Sequence, residues 1–378
     1  MAPNDLRSPL SRRPDHGFVA NISIGEPAVY QLVLIDTGSN IFWIQCYPCQ
    51  KCGDQNQIPH YDVDKSSTYS KVSCDSWMCR EFDGQCNEWL ECIYISAYID
   101  YTWSRGIVSD DTLHFITSDN EVESVPNVAF GCGTYNYGDE FGYEYSGILG
   151  LGPSKASVMT QIGYQFSYCI GHIKDINDSY SHLIIGDEAR LEGDSTPLEI
   201  FNSSYYAMLD GIRMGEKLIA DKKVFSSQPK DGGGVLFDTG SPVTYLHKEA
   251  LELLSAEIKS YMKAGNIQQV PEIKTGGLLC FEGRVSEDLE NFTEVIFHFS
   301  GGADLAVGPD ALFDQSRQRV FCMTILPTSA NMSILDHEAE NLTIIGISAM
   351  QDYNFGFDIK EKLVYIEDVD CKTLSDYD

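Results

Sequence analysis

The sequence predicts a mostly β chain folded as two similar halves. Three observations predict it. Short runs of Val, Ile, Tyr and Phe alternate with polar residues between Gly, Asn and Asp. Few stretches have helical periodicity. One seven-residue segment occurs twice, about half a chain apart.

Phe18–Ile24, Tyr30–Ile35, Cys92–Tyr98, Val128–Phe130, Val235–Phe237, Val295–Phe299 and Leu363–Glu367 read as strands. The best helix runs from Lys248 to Met262, where Ala250, Leu251, Leu253, Leu254, Ile258 and Tyr261 recur at helical spacing. Met159 to Gly163 is a shorter helical candidate. The repeat is Val33-Leu34-Ile35-Asp36-Thr37-Gly38-Ser39, which returns 202 positions later as Val235-Leu236-Phe237-Asp238-Thr239-Gly240-Ser241. Phe42-Trp43-Ile44 has its counterpart in Thr244-Tyr245-Leu246. Ile148-Leu149-Gly150 follows the first Asp by 114 residues, and Ile344-Ile345-Gly346 follows the second by 108. Two features repeated in one order at similar spacing imply two similarly folded lobes, expected at 18–195 and 196–378.

The chain has 378 residues, a length suited to two lobes rather than one core. Its net charge of −30 argues against nucleic acid and anionic membranes as partners, because phosphates repel a polyanion. No stretch reaches the roughly 18 uncharged apolar residues of a membrane span. Residues 1–15 lack the apolar core of a signal peptide, so residues 1–17, with the basic segment Arg7 to Pro14, read as a flexible remnant.

Twelve cysteines are present, seven of them between positions 46 and 92. Cys46-x2-Cys49-x2-Cys52 raises zinc as a rival to disulfides, but no second Cys-x2-Cys and no paired His completes a site. Six Asn-x-Ser/Thr sequons, at Asn21, Asn177, Asn202, Asn291, Asn331 and Asn341, favour an oxidising secretory environment and hence disulfides. Connectivity is not fixed by spacing.

Each repeated Asp ends an apolar run and precedes a Gly, which permits a tight turn and close approach of another loop. Thr37, Ser39, Thr239 and Ser241 supply hydroxyls that can orient the loops and carboxylates. If the halves meet about a pseudo-dyad, Asp36 and Asp238 come together and hold one proton jointly. Such a pair is base and acid at once. It can activate a water against a peptide carbonyl while protonating the carbonyl oxygen, with no cofactor and no metal.

With these motifs, IDTGSNIFWIQCYPCQKC from Ile35, FGCG around Cys132, FSYC at Cys169 and IIGISAMQDYNFGFD over 344–358, the chain resembles the pepsin-family aspartic proteases, specifically the plant nepenthesin-like group. The resemblance covers about Phe18 to Cys371. It implies a bilobal β fold, an endopeptidase active in acid on polypeptide substrates, a monomer, and a secreted or vacuolar location. It also implies a mobile hairpin, the flap, over the cleft. Tyr98 takes the flap-tyrosine place, Trp43 the place of its hydrogen-bond partner, and Asp100 lies at the bend; read alone, Tyr98 is one more strand aromatic. The disulfides implied are Cys46–Cys49, Cys52–Cys132, Cys74–Cys92, Cys79–Cys86, Cys169–Cys371 and Cys280–Cys322. Three features depart from the family. Ile99 stands where Gly usually follows the flap tyrosine, and a β-branched residue there disfavours positive φ. The second motif is Asp-Thr-Gly-Ser rather than Asp-Ser-Gly-Thr. The pro-segment is missing or reduced to residues 1–17.

Rival chemistries lack their residues. Gly147 to Gly152 has no Lys-Ser/Thr and not the dinucleotide-loop spacing, and neither Gly-x-Ser-x-Gly nor His-Glu-x-x-His occurs. The competing functional reading is a protease-shaped binding or inhibitor protein without activity, and the intact pair of motifs is what separates the two.

Overall fold

The computed structural model describes residues 6–13, 17–55, 57–117, 121–138, 145–175, 178–271, 277–328 and 341–375. Strands dominate, in one sheet of sixteen strands and three smaller sheets of six, four and four.

The first motif ends the strand Val29–Asp36. Its apolar run is continuous because strands flank it on both edges and side chains on both faces are buried. Gly17–Ile24 pairs antiparallel on one edge. Gly147–Gly150 pairs parallel on the other, with Gly150 opposite Asp36. The second motif repeats this arrangement: Val235–Asp238 lies parallel to Thr343–Gly346, with Gly346 opposite Asp238. In each half a third strand runs antiparallel to the Gly-terminated one, Trp43–Tyr47 in the first and Thr244–Leu246 in the second. Thus both repeated sequence elements form one repeated three-strand unit. Gly150 and Gly346 are needed where the chain after each motif crosses them. A Cβ on Gly150 would stand 2.5 Å from the Asn40 carbonyl carbon, and one on Gly346 2.1 Å from the Val243 oxygen.

The halves share backbone. Tyr353–Asp358 joins the large sheet by pairing antiparallel with Gln165–Ile170, and Leu363–Asp368 pairs in turn with Asp194–Pro197. The boundary expected between 195 and 196 therefore falls inside a strand. Aromatic rings pack behind the second motif: Phe237 lies 5.6 Å from Phe355 and 5.3 Å from Phe299, and Phe166 stacks on Phe357 at 4.6 Å. Side chains from both halves thus build one core directly beneath the acidic loops. The expected long helix forms as Lys248–Ala264, burying Ala250, Leu254, Ile258 and Met262 at every fourth position. No helix among the described residues is long and apolar enough to cross a membrane.

Two expectations are corrected. The first is the flexible remnant, since Leu6–Arg13 is a strand. It pairs with His182–Ile185 through Leu6 to Pro9 and with Gly17–Ala20 through Leu10 to Arg13. Leu6, Ser8 and Leu10 alternate inward and are buried, a period-2 pattern that the basic and Pro residues around it obscure. The exposed Pro9 is tolerated within it.

The second concerns four of the six disulfides. The bonds are Cys46–Cys132, Cys49–Cys52, Cys74–Cys86 and Cys79–Cys92, in place of Cys46–Cys49, Cys52–Cys132, Cys74–Cys92 and Cys79–Cys86. Val122–Tyr137 lies parallel beside Trp43–Tyr47, which brings Cys132 to a Cα separation of 5.4 Å from Cys46. Cys49 and Cys52 then close their own short loop. Helix Trp77–Glu81 buries Cys79 against Cys92, and Gly84 passes so close that a Cβ there would stand 2.3 Å from the Cys92 sulfur. Cys86, on the exposed side of that hairpin, is left for Cys74. Cys169–Cys371 and Cys280–Cys322 are also bonded. Of the sequons, Asn21, Asn202, Asn291 and Asn341 are exposed, whereas Asn177 and Asn331 lie outside the described residues.

Candidate active site

The two motifs meet and interlock. Thr37 N–H donates to Thr239 Oγ1 at 3.1 Å, and Thr239 N–H donates to Thr37 Oγ1 at 3.0 Å. Each hydroxyl then donates onward to the opposite strand: Thr37 Oγ1 to the Phe237 carbonyl at 2.6 Å, and Thr239 Oγ1 to the Ile35 carbonyl at 2.9 Å. In these four buried bonds each threonine hydroxyl donates once and accepts once across the junction. A hydroxyl on each side is required, because only a group that both donates and accepts completes the exchange.

The carboxyls sit above this junction in matching cradles. Asp36 Oδ1 accepts from Gly38 N–H at 2.9 Å and Oδ2 from Ser39 Oγ at 2.5 Å. Asp238 Oδ1 accepts from Gly240 N–H at 2.9 Å and Oδ2 from Ser241 Oγ at 2.6 Å. The glycines admit the partner carboxyl. A Cβ on Gly38 would stand 2.7 Å from Asp238 Oδ1, and one on Gly240 2.7 Å from Asp36 Oδ1. Any larger residue at either place would push the carboxyls apart.

Asp36 and Asp238 are hydrogen-bond neighbours, and the environment favours a proton on the pair. Burial raises the Asp36 pKa from 3.8 to about 7, with the Asp238 charge the next cause. The bonds from Ser39 and Gly38 act in the opposite direction and are outweighed. A carboxyl pair holding one proton near neutrality can take a proton at one oxygen and give one at another.

The flap strands are Cys92–Ala97 and Trp103–Ile116. Trp43 Nε1 donates to the Tyr98 hydroxyl at 2.7 Å. Burial, and after it the Asp36 charge, pushes the Tyr98 hydroxyl above the ordinary tyrosine range. The Tyr98 hydroxyl thus lies within electrostatic reach of Asp36, held there by Trp43.

The bend differs from the sequence expectation. Tyr98 N–H donates to Thr102 O at 2.9 Å, Tyr101 N–H to Tyr98 O at 3.0 Å, and the left-handed residue is Tyr101 at φ 68°, not Ile99. Asp100 caps the bend, its Oδ1 accepting from Thr102 N–H at 2.9 Å and from Thr102 Oγ1 at 2.7 Å. Tyr101 is 79% exposed, so its ring gains little from packing that would offset the left-handed backbone. Tyr101→Gly is expected to stabilise the closed bend by about 0.5–1 kcal/mol. Slower hydrogen exchange at the Tyr98 and Thr102 amides would register the gain.

The sequence reading missed Tyr245. Burial, and after it the Asp238 charge, pushes its hydroxyl above the ordinary tyrosine range, so it feels the second carboxyl. The signal was present, for Tyr245 occupies the position in the second repeat that Trp43 occupies in the first.

The chain is similar to known proteins over nearly its whole length. Residues 18–187 match the family model described as xylanase inhibitor N-terminal, and residues 204–368 the one described as xylanase inhibitor C-terminal. Aspartyl protease UND of Arabidopsis thaliana is 31% identical over 369 residues, which cover 97% of this chain and 88% of that protein. Aspartic proteinase nepenthesin-2 of Nepenthes gracilis is 31% identical over 320 residues, 82% of this chain and 70% of that protein. Among solved structures, basic 7S globulin from soybean has a TM-score of 0.74 at 17% identity, with 97% of each chain covered. At that identity the likeness is one of fold.

Proposed function

This chain belongs to the pepsin-like aspartic proteases of plants, and from that premise we propose that it is an active endopeptidase, with Asp36 and Asp238 as its catalytic pair. The observation that carries the reading is the two-fold cradle, in which both carboxyls, both glycines and all four hydroxyls stand in mutually bonded positions. A protein that only binds has no need to keep a buried carboxyl against a second, half-buried one, because their repulsion destabilises the fold.

In the mechanism, a water held by both carboxyls loses a proton to one of them as it attacks the peptide carbonyl. The protonated partner donates to the carbonyl oxygen. The resulting tetrahedral diol collapses when a proton reaches the departing amine, and the pair returns to its one-proton state. No bond forms between enzyme and acyl group. Thr37 and Thr239 fix the separation of the carboxyls. Ser39 and Ser241 orient their outer oxygens, and Tyr98, held by Trp43, closes over the substrate and excludes water. Substrates are extended polypeptides. The disulfides and exposed sequons fit passage through an oxidising secretory route to the cell exterior or the vacuole.

The test is cleavage of a denatured protein by the purified, fully oxidised chain. Hydrolysis is expected at about pH 3–5, where the pair keeps its shared proton, with inhibition by a statine-type mimic of the tetrahedral diol. A folded protein that cuts nothing at any pH, yet binds a glycosidase, would replace this reading with the inhibitor role named in the matching family models.

A further inference from the structure

The acidic loops have a close neighbour that the mechanism does not use. Glu199–Phe201 and Ser204–Ala207 form a hairpin, with Phe201 opposite Ser204. Its turn is Asn202-Ser203, at φ 46° and 58°. Two consecutive left-handed residues make the type I′ turn, which matches the twist of the flanking strands and accepts Asn at its first central position. The hairpin runs alongside the second motif. Tyr206 lies opposite Leu236 and Ala207 opposite Val235, and that antiparallel register, carried on two residues, sets Ser204 level with Asp238. The turn therefore projects past the end of the strand that holds Asp238, one strand spacing of about 4.8 Å to its side. It also reaches the first motif. Asn40 Nδ2 donates to the Ser203 carbonyl at 2.9 Å, and Asn40 follows Ser39, whose hydroxyl bonds Asp36. Phe201 packs edge-on against Tyr206, 6.5 Å between ring centres, in a cluster with Leu236, Tyr245 and Ile344. Those three are the repeat counterparts of Leu34, Trp43 and Ile148, whose own cluster holds Tyr98 of the flap. The turn thus stands at the rim of the acidic site, on its flap side, where the two halves touch. Asn202 and Ser203 are exposed, and the Asn202 side-chain amide makes no hydrogen bond among the described residues.

We propose that Asn202 carries an N-linked oligosaccharide, which stands at this rim as a size filter: extended chains pass beneath it and folded proteins are held off. Asn202-Ser203-Ser204 is the sequence that the modification needs. The co-reactant is an oligosaccharide joined through a diphosphate to a lipid, met in the same oxidising route that forms the disulfides. The Asn202 side-chain nitrogen attacks C1 of the first sugar. A new N–C bond replaces the C1–O bond, the lipid diphosphate departs, and the amide nitrogen gives up one proton. The fold tolerates the product because the turn is exposed and the amide is unengaged. A glycan is bulky and hydrated. A folded protein has to displace that volume to bring one of its loops to Asp36 and Asp238, whereas an extended chain is narrow and does not. The filter on cleavage rests on the proposed peptidase reading, but the modification and the obstruction do not.

The test starts from protein secreted by a eukaryotic host. Peptide mass spectrometry should find an oligosaccharide on Asn202. It should find none there in Asn202→Gly, which suits the turn, or in Ser204→Ala, which keeps the asparagine and removes the hydroxyl that transfer needs. Both variants should raise kcat/KM on a folded protein substrate about 5-fold, through KM rather than kcat, and cut a short unstructured peptide as wild type does. Ser204→Thr retains the sequon and should behave as wild type. A statine-type peptide, free and fused to a folded carrier, is also titrated calorimetrically against the same proteins, and the carrier-borne ligand alone should bind more tightly to the two unglycosylated variants. That difference in binding, without turnover by any of the proteins, would sink the peptidase reading and leave this inference standing. An unmodified Asn202 in the secreted protein, or a glycan whose loss changes neither cleavage of the folded substrate nor binding of the carrier-borne ligand, would overturn it.

Discussion

Asp36→Asn should reduce peptide hydrolysis by about 10⁴-fold while making the protein more stable at neutral pH. The loss of activity follows from removing the group that exchanges a proton with Asp238. The gain follows from linkage. The folded pKa of Asp36 is raised from 3.8 to about 7, so folding favours the protonated carboxyl. The stability this contributes is fully present below pH 3.8 and is lost as pH rises through about 7. Above that, the fold must hold the buried Asp36 charge against the half-buried Asp238 charge, at a cost on the order of a few kcal/mol. Asn stays neutral and keeps the acceptor for Gly38 N–H, so the variant escapes the cost. Urea midpoints at about pH 3.5 and pH 8 should show wild type and variant close together in acid and the variant ahead in base. The surface charge also destabilises both proteins as pH rises, and taking their difference removes that contribution.

Thr37→Val should destabilise the fold by about 2–5 kcal/mol. The lost hydroxyl donates to the Phe237 carbonyl and accepts from Thr239 N–H, and both groups are buried. Valine leaves a carbonyl and an amide without partners in a site that water does not reach, which is the expensive form of hydrogen-bond loss. Thr239→Val should behave alike, since Thr239 Oγ1 serves Ile35 and Thr37 in the mirrored way. The double variant should cost less than the sum, because each substitution already breaks the same interlock. Thr37→Ser keeps both bonds and should stay within about 1 kcal/mol of wild type. Urea unfolding measures all four. Activity should fall in Thr37→Val beyond what instability explains, as the carboxyl spacing is no longer set.

The acidic pair was legible because its chemistry repeats in sequence. A buried carboxyl needs a cradle, the cradle needs Thr, Gly and Ser at fixed offsets, and two-fold packing writes the same letters twice. Trp43 and Tyr98 were placed through the family resemblance, and the structure joins them in a hydrogen bond. The disulfides were not legible. Whether Cys46 meets Cys49 or Cys132 depends on which strand lies beside Trp43–Tyr47, a long-range choice that local spacing does not encode. The strand Leu6–Arg13 was hidden by its composition, since three arginines and a proline outweigh a three-residue inward pattern when the partner strands are unknown. At the flap, the sequence pointed to Ile99 because the family keeps glycine there. The pairing of Tyr98 with Thr102 instead sets the register of the bend and assigns the left-handed position to Tyr101.

The most direct measurement is the pH dependence of kcat/KM on a quenched fluorescent peptide, with wild type and Asp36→Asn compared throughout. A shared proton predicts a bell that is high in acid and falls away as pH rises through about 7, with Asp36→Asn flat and near zero. Wild-type activity that persists undiminished well above neutrality, or an Asp36→Asn protein that cuts as well as wild type, would contradict it.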